Sequence, residues 1–156
     1  MLFYRSHRGS RGLSIATVRT LSATGLATYP AGALLLALGP DGPGTSLAGY
    51  GLILLALAAC APLIRSSVQR IVAEDTKVLD EYELGLRGRA LGASYAAFAA
   101  LSLLLVLYAA IASDKGFWFP DSYDEYNGVF WGLFLYASVL PTALLSWMVE
   151  PTFADE

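Results

Sequence analysis

The stretch ALGASYAAFAALSLLLVLYAAIAS, residues 90–113, contains no charged side chain. An α-helix needs about 20 apolar residues to cross the hydrocarbon layer of a bilayer, and this stretch is long enough. Three further stretches share its length and character, at residues 21–39, 46–64 and 129–149. The sequence therefore predicts an all-α fold, an integral membrane four-helix bundle.

The composition supports a single transmembrane domain over residues 1–156. The chain is 56% hydrophobic and its mean hydropathy is +0.54, which is too apolar for a soluble domain of this length. The turn-forming run GPDGPG, residues 39–44, predicts an antiparallel hairpin of the first two spans. A second hairpin follows, with an outer aromatic loop over residues 114–128 between its spans.

The positive charges are distributed unevenly between the two sides of such a bundle. Nine of the ten Lys and Arg residues lie in the arm 1–20 or in the segment 65–89, and only Lys115 lies on the other side. Positive residues concentrate in cytoplasmic loops, so both termini are expected in the cytoplasm. The lipid bilayer is then the first expected partner, and nucleic acid is not one.

The first span has an alternative interpretation as a cleaved signal peptide. The basic arm is followed by GALLLALG, residues 32–39, in the order of an n-region and an h-region. The arm and the apolar run are both long, and no convincing A-x-A site precedes Pro40. We therefore expect the first span to be retained.

Residues 66–89 form the one substantial polar segment between spans. Apolar residues recur there near helical spacing, and Glu83 stands four residues before Arg87. This pattern predicts an amphipathic cytoplasmic helix over 66–89 that joins the two hairpins and continues into the third span. Glu83 and Arg87 are expected to form an ion pair on it.

The run LDEYELGLRGRALGASYAAFAAL, residues 79–101, contains the motif D-E-x-E-x-x-L-R-x-R-A, carried by Asp80, Glu81, Glu83, Arg87, Arg89 and Ala90. It resembles a pattern found in small four-span bacterial inner-membrane proteins of unknown function. The resemblance covers about 23 of the 156 residues. It implies a location in a bacterial inner membrane and no particular reaction.

Small residues recur at four-residue intervals on the last two spans. On the third span they are Gly88, Gly92, Ala96 and Ala100, and on the fourth they are Gly128 and Gly132. Small residues allow helices to approach closely in lipid, where packing drives association. These stripes either hold the bundle together or contact a partner. Trp118 of the aromatic loop, Glu83 and Arg87 are further candidates for partner contact.

The reactive side chains are too few to predict catalysis or a cofactor site. His7 and Cys60 are the only histidine and cysteine, and any plausible topology separates them. No histidine or lysine lies near membrane depth to act as a base, and no G-x-S-x-G sequence is present. We expect neither an enzyme nor a bound metal or other cofactor.

Two functions remain open from the sequence. Carriers of charged substrates usually keep a charged group at membrane depth, and these spans keep none. The first hypothesis is a non-catalytic accessory or structural subunit that contacts other integral membrane subunits, or a second copy, through helix faces. The alternative is a small transporter or lipophile-binding protein, with neutral polar residues such as Ser22 and Thr142 along a path between helices.

Overall fold

The computed structural model describes residues 13–149, which fold entirely into helices and their connections. The five α-helices are α1 (Ile15–Leu38), α2 (Pro43–Cys60), α3 (Ser67–Ala73), α4 (Glu81–Lys115) and α5 (Tyr123–Met148). A 3₁₀ turn, Ala61–Arg65, continues α2. Four of these segments are long and apolar enough to cross a membrane, namely α1, Pro43–Arg65, α4 and α5. The predicted all-α four-helix fold is confirmed, and the chain is a multi-pass membrane protein.

Local side chains determine where most of the helices begin. The side chains of Ser14, Ser66, Asp80 and Ser122 each accept a hydrogen bond from a backbone N–H in the first turn of the helix that follows. Such N-caps satisfy donors that have no partner within the helix. The helix α2 instead begins at Pro43, whose missing N–H costs nothing at that position.

The four spans form an open array rather than a closed square. The helix α1 packs mainly against α2 and also against α5, and α5 packs in turn against α4. This gives the order α2, α1, α5, α4, so that α2 and α4 lie at the two edges. The core runs along α1 and α5 and includes Val18, Tyr29, Ala56, Leu63, Val68, Leu86, Ala90, Leu135, Val139, Ala143 and Leu145.

The alternation of the spans defines two ends. We call one the basic end: it contains the start of α1, the 3₁₀ turn, α3, the start of α4 and the last turn of α5. Six of the seven Lys and Arg residues within 13–149 belong to it, and Lys115 belongs to the opposite, outer end. Arg19, which the sequence suggested as part of a flanking arm, lies in the second turn of α1. Residues 1–12 of that arm lie outside the described residues.

The prediction of one continuous helix over 66–89 is wrong. The helix α3 ends at Ala73, Glu74 has an extended backbone, and α4 begins only at Glu81. Two aspartates favour the break, because their carboxylates accept hydrogen bonds from backbone N–H groups nearby. Asp75 accepts from Lys77 at 3.1 Å, and Asp80 accepts from Glu83 at 2.7 Å as the N-cap of α4.

Pro30 lies inside α1 without ending it. Proline has no N–H, so the carbonyl of Leu26, four residues earlier, loses its usual donor. The neighbouring threonines do not replace that donor, since Thr28 donates to the carbonyl of Thr24. The hydroxyl of Tyr136 on α5 donates to the Leu26 carbonyl at 2.6 Å. The proline therefore creates a point of attachment between α1 and α5.

Candidate functional site

The small-residue stripe of α4 faces away from the bundle. Gly88, Gly92, Ala96 and Ala100 are all exposed. A Cβ atom added to Gly88 or Gly92 would meet no atom within 4 Å. The buried residues of the same part of α4, Leu86, Ala90 and Ser94, lie on the opposite side and face the rest of the protein. The stripe therefore does not hold this chain together, and α4 presents it outward.

The two glycines of α5 differ: a Cβ atom added to Gly128 would meet no atom within 4 Å, whereas Gly132 packs against α1. The hydroxyl of Tyr29 donates to the carbonyl of Gly128 at 2.9 Å. A Cβ atom on Gly132 would stand 2.9 Å from the ring of Tyr29, which is too close for an ordinary contact. Gly132 thus makes room for Tyr29 of α1. Small residues therefore hold the bundle together at Gly132 of α5, but the stripe of α4 does not have that role.

Glu83 and Arg87 do not pair with each other. The guanidinium of Arg70 on α3 donates to Glu83 at 3.0 Å, and Arg87 donates to the backbone carbonyl of Glu74 at 2.7 Å. Both contacts connect the start of α4 to α3 and to the connection after it. The i, i+4 pair predicted from the sequence is wrong because the break before α4 brings these other partners within reach. These side chains position α4 at the basic end.

Trp118 lies in the connection between α4 and α5 at the outer end. Its carbonyl accepts a hydrogen bond from the hydroxyl of Tyr108 at 2.7 Å, and its side chain is half-buried. Phe119 and Tyr126 form an edge-to-face pair, with ring centroids 6.1 Å apart. The connection is thus attached to both α4 and α5, and Phe117, Phe119, Tyr123 and Tyr126 are all exposed.

The sequence reasoning missed the closest helix contact, which joins α1 and α2. A Cβ atom on Gly32 would stand 2.7 Å from the carbonyl oxygen of Gly49 and 3.0 Å from the side chain of Ile53. One added to Gly25 would collide with the sulfur of Cys60. Gly25 and Gly32 are seven residues apart, as are Gly49 and Ala56 on the facing helix. This matched spacing of small residues was the available signal.

Arg19 is the second feature that sequence reasoning missed. Its Nε donates to the carbonyl of Ser146 at 2.9 Å, and its terminal nitrogen Nη2 donates to the carbonyl of Val149 at 3.0 Å. Its guanidinium also lies over the ring of Trp147, 4.8 Å from the centroid. One cation thus joins the start of α1 to the end of α5. Because Arg19 and Ser146 are 127 residues apart in the chain, the sequence around either residue does not predict their contact.

The neutral polar side chains of the spans are largely used within the bundle. Thr142 donates to the side chain of Gln69, and Ser138 and Ser146 donate to backbone carbonyls of their own helix. Among the described residues, Ser22 alone has a fully buried side-chain oxygen without a hydrogen-bond partner. Of these hydrogen bonds, the one from Thr142 to Gln69 joins two helices, α5 and α3.

A groove with a volume of about 230 Å³ lies between α4 and α5. Pro141 has no N–H, so the carbonyl of Ala137 loses its usual helical donor, and no side chain within 13–149 donates to it. Most residues that line the groove are apolar; the exceptions are Ser94, whose hydroxyl donates to the Ala90 carbonyl, and Tyr95. Its lining comprises Leu91, Ser94, Tyr95, Phe98, Ala137, Leu140 and Pro141.

Within residues 13–149, no three His, Cys, Asp or Glu side chains converge in a way that could hold a metal ion. Comparison of the chain with known protein families, with curated proteins and with solved structures found no match.

Proposed function

We propose that this protein is a non-catalytic accessory or structural subunit of a larger membrane protein complex, located in a bacterial inner membrane with both termini in the cytoplasm. The observation that carries the proposal is the exposed small-residue face of α4. A helix that crosses lipid alone has no need of glycines, which cost about 1 kcal/mol each relative to alanine in a helix interior. A run of small residues on one outward face, unlike a single outward glycine such as Gly51, forms a surface against which another helix packs closely.

The position of α4 in the array supports the same conclusion. Only 6% of its most apolar 18-residue window is buried, against 28% for the corresponding windows of α2 and α5. The helix α4 therefore shares little surface with the rest of the chain. Its 35 residues span about 52 Å at the usual helical rise, which is longer than a bilayer requires. An edge helix of this kind offers a long surface to a neighbouring subunit.

The start of α4 is held firmly enough to present that surface. Arg70 pairs with Glu83, Arg87 donates to the Glu74 carbonyl, and Asp80 caps the first turn. A surface that is already ordered loses less conformational entropy when a partner binds. Asp80, Glu83 and Arg87 thus hold the start of α4 in place, while the outward glycines contact the partner subunit.

The test is co-purification in mild detergent from the native membrane. We expect partner subunits to co-purify with the wild-type chain and to be lost, by about tenfold or more, from Gly92→Leu, because a bulky side chain would separate the two helices. The matched control is Gly51→Leu: Gly51 is also exposed and has no atom within 4 Å of an added Cβ, but it lies on α2. The control variant is expected to keep its partners.

Thermal unfolding of both variants in detergent controls for misfolding, and we expect their midpoints to match that of the wild type. Recovery of the wild-type chain only as a free monomer in several mild detergents would contradict the proposal. Equal loss of partners from both variants would also contradict it, because the contact would then not be specific to α4.

The groove between α4 and α5 favours a second candidate, a lipophile-binding protein. A ligand with an apolar body and one hydroxyl or amine would fill the groove and donate to the Ala137 carbonyl. Exchange of Ser94 for Trp would fill the space, and extracts of the purified variant would then lack a lipophile that the wild type retains. If the two extracts are identical by mass spectrometry, the groove holds no specific ligand.

A further inference from the structure

A groove opens at the basic end, where the start of α1 meets the 3₁₀ turn. Its volume is about 610 Å³, and it is lined by Leu13, Ala61, Pro62, Ile64 and Arg65. Four of these side chains are apolar and the fifth is a cation. Ile64 is 76% exposed, so an apolar wall of the groove faces the surroundings rather than the protein.

The cation of this groove has no partner within residues 13–149. Three other arginines at the basic end are engaged: Arg19 with the carbonyls of α5, Arg70 with Glu83, and Arg87 with the Glu74 carbonyl. Arg65 forms no hydrogen bond or ion pair with any described residue, and no acidic side chain of residues 13–149 lines the groove. As far as the described residues form it, the groove is thus apolar with one positive charge that they do not compensate.

The depth of Arg65 matches the headgroup layer of a membrane. The α-helix α2 contains 18 residues and the 3₁₀ turn adds five. At rises of about 1.5 and 2.0 Å per residue, the two span roughly 37 Å, which exceeds the roughly 30 Å hydrocarbon core. Arg65 is the last residue of this span and therefore lies beside the phosphates of the surrounding lipid, with Ile64 and Pro62 one step nearer the acyl chains.

We propose that this groove is a binding site for an anionic phospholipid. The guanidinium of Arg65 pairs with the lipid phosphate, as arginine does with phosphates generally. Leu13, Pro62 and Ile64 pack against the glycerol and the first methylene groups. An anionic headgroup is favoured over a zwitterionic one, because a zwitterionic headgroup would bring its own ammonium group near Arg65. The proposal does not depend on whether α4 binds a partner.

The experiment uses the full chain reconstituted in vesicles of phosphatidylcholine with added phosphatidylglycerol, extracted in mild detergent, with retained lipid identified by native mass spectrometry. We expect the wild type to retain phosphatidylglycerol in preference to phosphatidylcholine. A specific ion pair at an exposed site contributes up to about 1 kcal/mol, so loss of the Arg65–phosphate pair in Arg65→Gln should lower that retention by up to about fivefold. Added inorganic phosphate should not displace the lipid.

Two further variants separate a built site from general surface charge. Arg89→Gln removes the same charge from the same end, but Arg89 is an exposed residue of α4 that does not line the groove. We expect it to retain lipid as the wild type does. Ala61→Trp keeps Arg65 and fills the groove, and it should lose the lipid.

Three results would overturn the proposal. Equal loss from the Arg65 and Arg89 variants would assign the effect to diffuse charge. Displacement by inorganic phosphate would assign the site to a free anion. A wild-type chain that retains no phosphatidylglycerol would assign the groove to another occupant, such as the basic arm of the chain or a second copy, visible as a dimer in the same spectra. Unfolding midpoints of all three variants show whether each one is folded.

Discussion

At the residue scale, Arg19 of α1 donates hydrogen bonds to carbonyls at the end of α5 for which α5 itself supplies no donor. The last carbonyls of an α-helix have no donors within the helix, and α5 has no basic residue in its last turn. Arg19 donates to two of those carbonyls, and its charge opposes the negative end of the helix dipole. A side chain of α1 thus caps the C-terminal end of α5.

Replacement of Arg19 by Gln should destabilise the protein by about 2 kcal/mol, because two hydrogen bonds from a charged donor are lost from a half-buried site. The measurement is the free energy of unfolding from a denaturant titration in mixed micelles. Arg89→Gln is the control, since it removes one exposed charge without a hydrogen bond to residues 13–149. Equal stability of the two variants would show that the contact of Arg19 with α5 contributes nothing.

At the element scale, the α1–α2 hairpin depends on backbones that approach each other closely. The Gly49 carbonyl stands opposite Gly32, and the Leu36 side chain fills the space above Gly49. Lipid tails are as apolar as the side chains, so this contact is stabilised by dispersion and close fit rather than by removal of apolar surface from water. The hairpin is accordingly sensitive to single methyl groups.

Gly32→Ala should lower the stability by about 1–3 kcal/mol, the usual cost of overpacking, because its methyl group meets a backbone carbonyl and two side chains of α2. Gly51→Ala places the same methyl group on α2 where nothing lies within 4 Å. It should be neutral or slightly stabilising, since alanine favours the helix. The same unfolding titration compares the two. A neutral Gly32→Ala would mean that the helices are farther apart in the membrane than in this structure.

At the scale of the whole molecule, the topology follows from alternation of the four spans. Lys77 lies between α3 and α4 at the basic end, and Lys115 is the last residue of α4 at the outer end. The two ends must therefore be on opposite sides of the membrane. We propose from the charge asymmetry that the basic end is the cytoplasmic one.

We expect cysteines introduced at these two positions, in a chain that carries Cys60→Ala, to react from opposite sides. A membrane-impermeant maleimide applied to intact cells should label the Lys115→Cys chain and not the Lys77→Cys chain, which should react only after permeabilisation. Labelling of both from outside would contradict four crossings. Labelling of the Lys77→Cys chain alone from outside would indicate the opposite orientation, with the basic end outside the cell.

The sequence by itself determined the properties that are local to the chain. The length of uncharged runs predicts four spans, and the run GPDGPG predicts the first turn, because both depend on neighbouring residues only. Even so, the helix expected over 66–89 is interrupted, since Asp75 and Asp80 offer hydrogen bonds that compete with the helix.

Only the tertiary structure decided which face of each span is internal. In lipid every apolar face is equally soluble, so hydropathy does not distinguish Gly132, which packs against Tyr29, from Gly92, which faces outward. The partners of Arg19, of the carbonyl freed by Pro30 and of Glu83 likewise come from other helices. Their contacts depend on how the spans are arranged in space, and the pattern along any one of them does not contain that information.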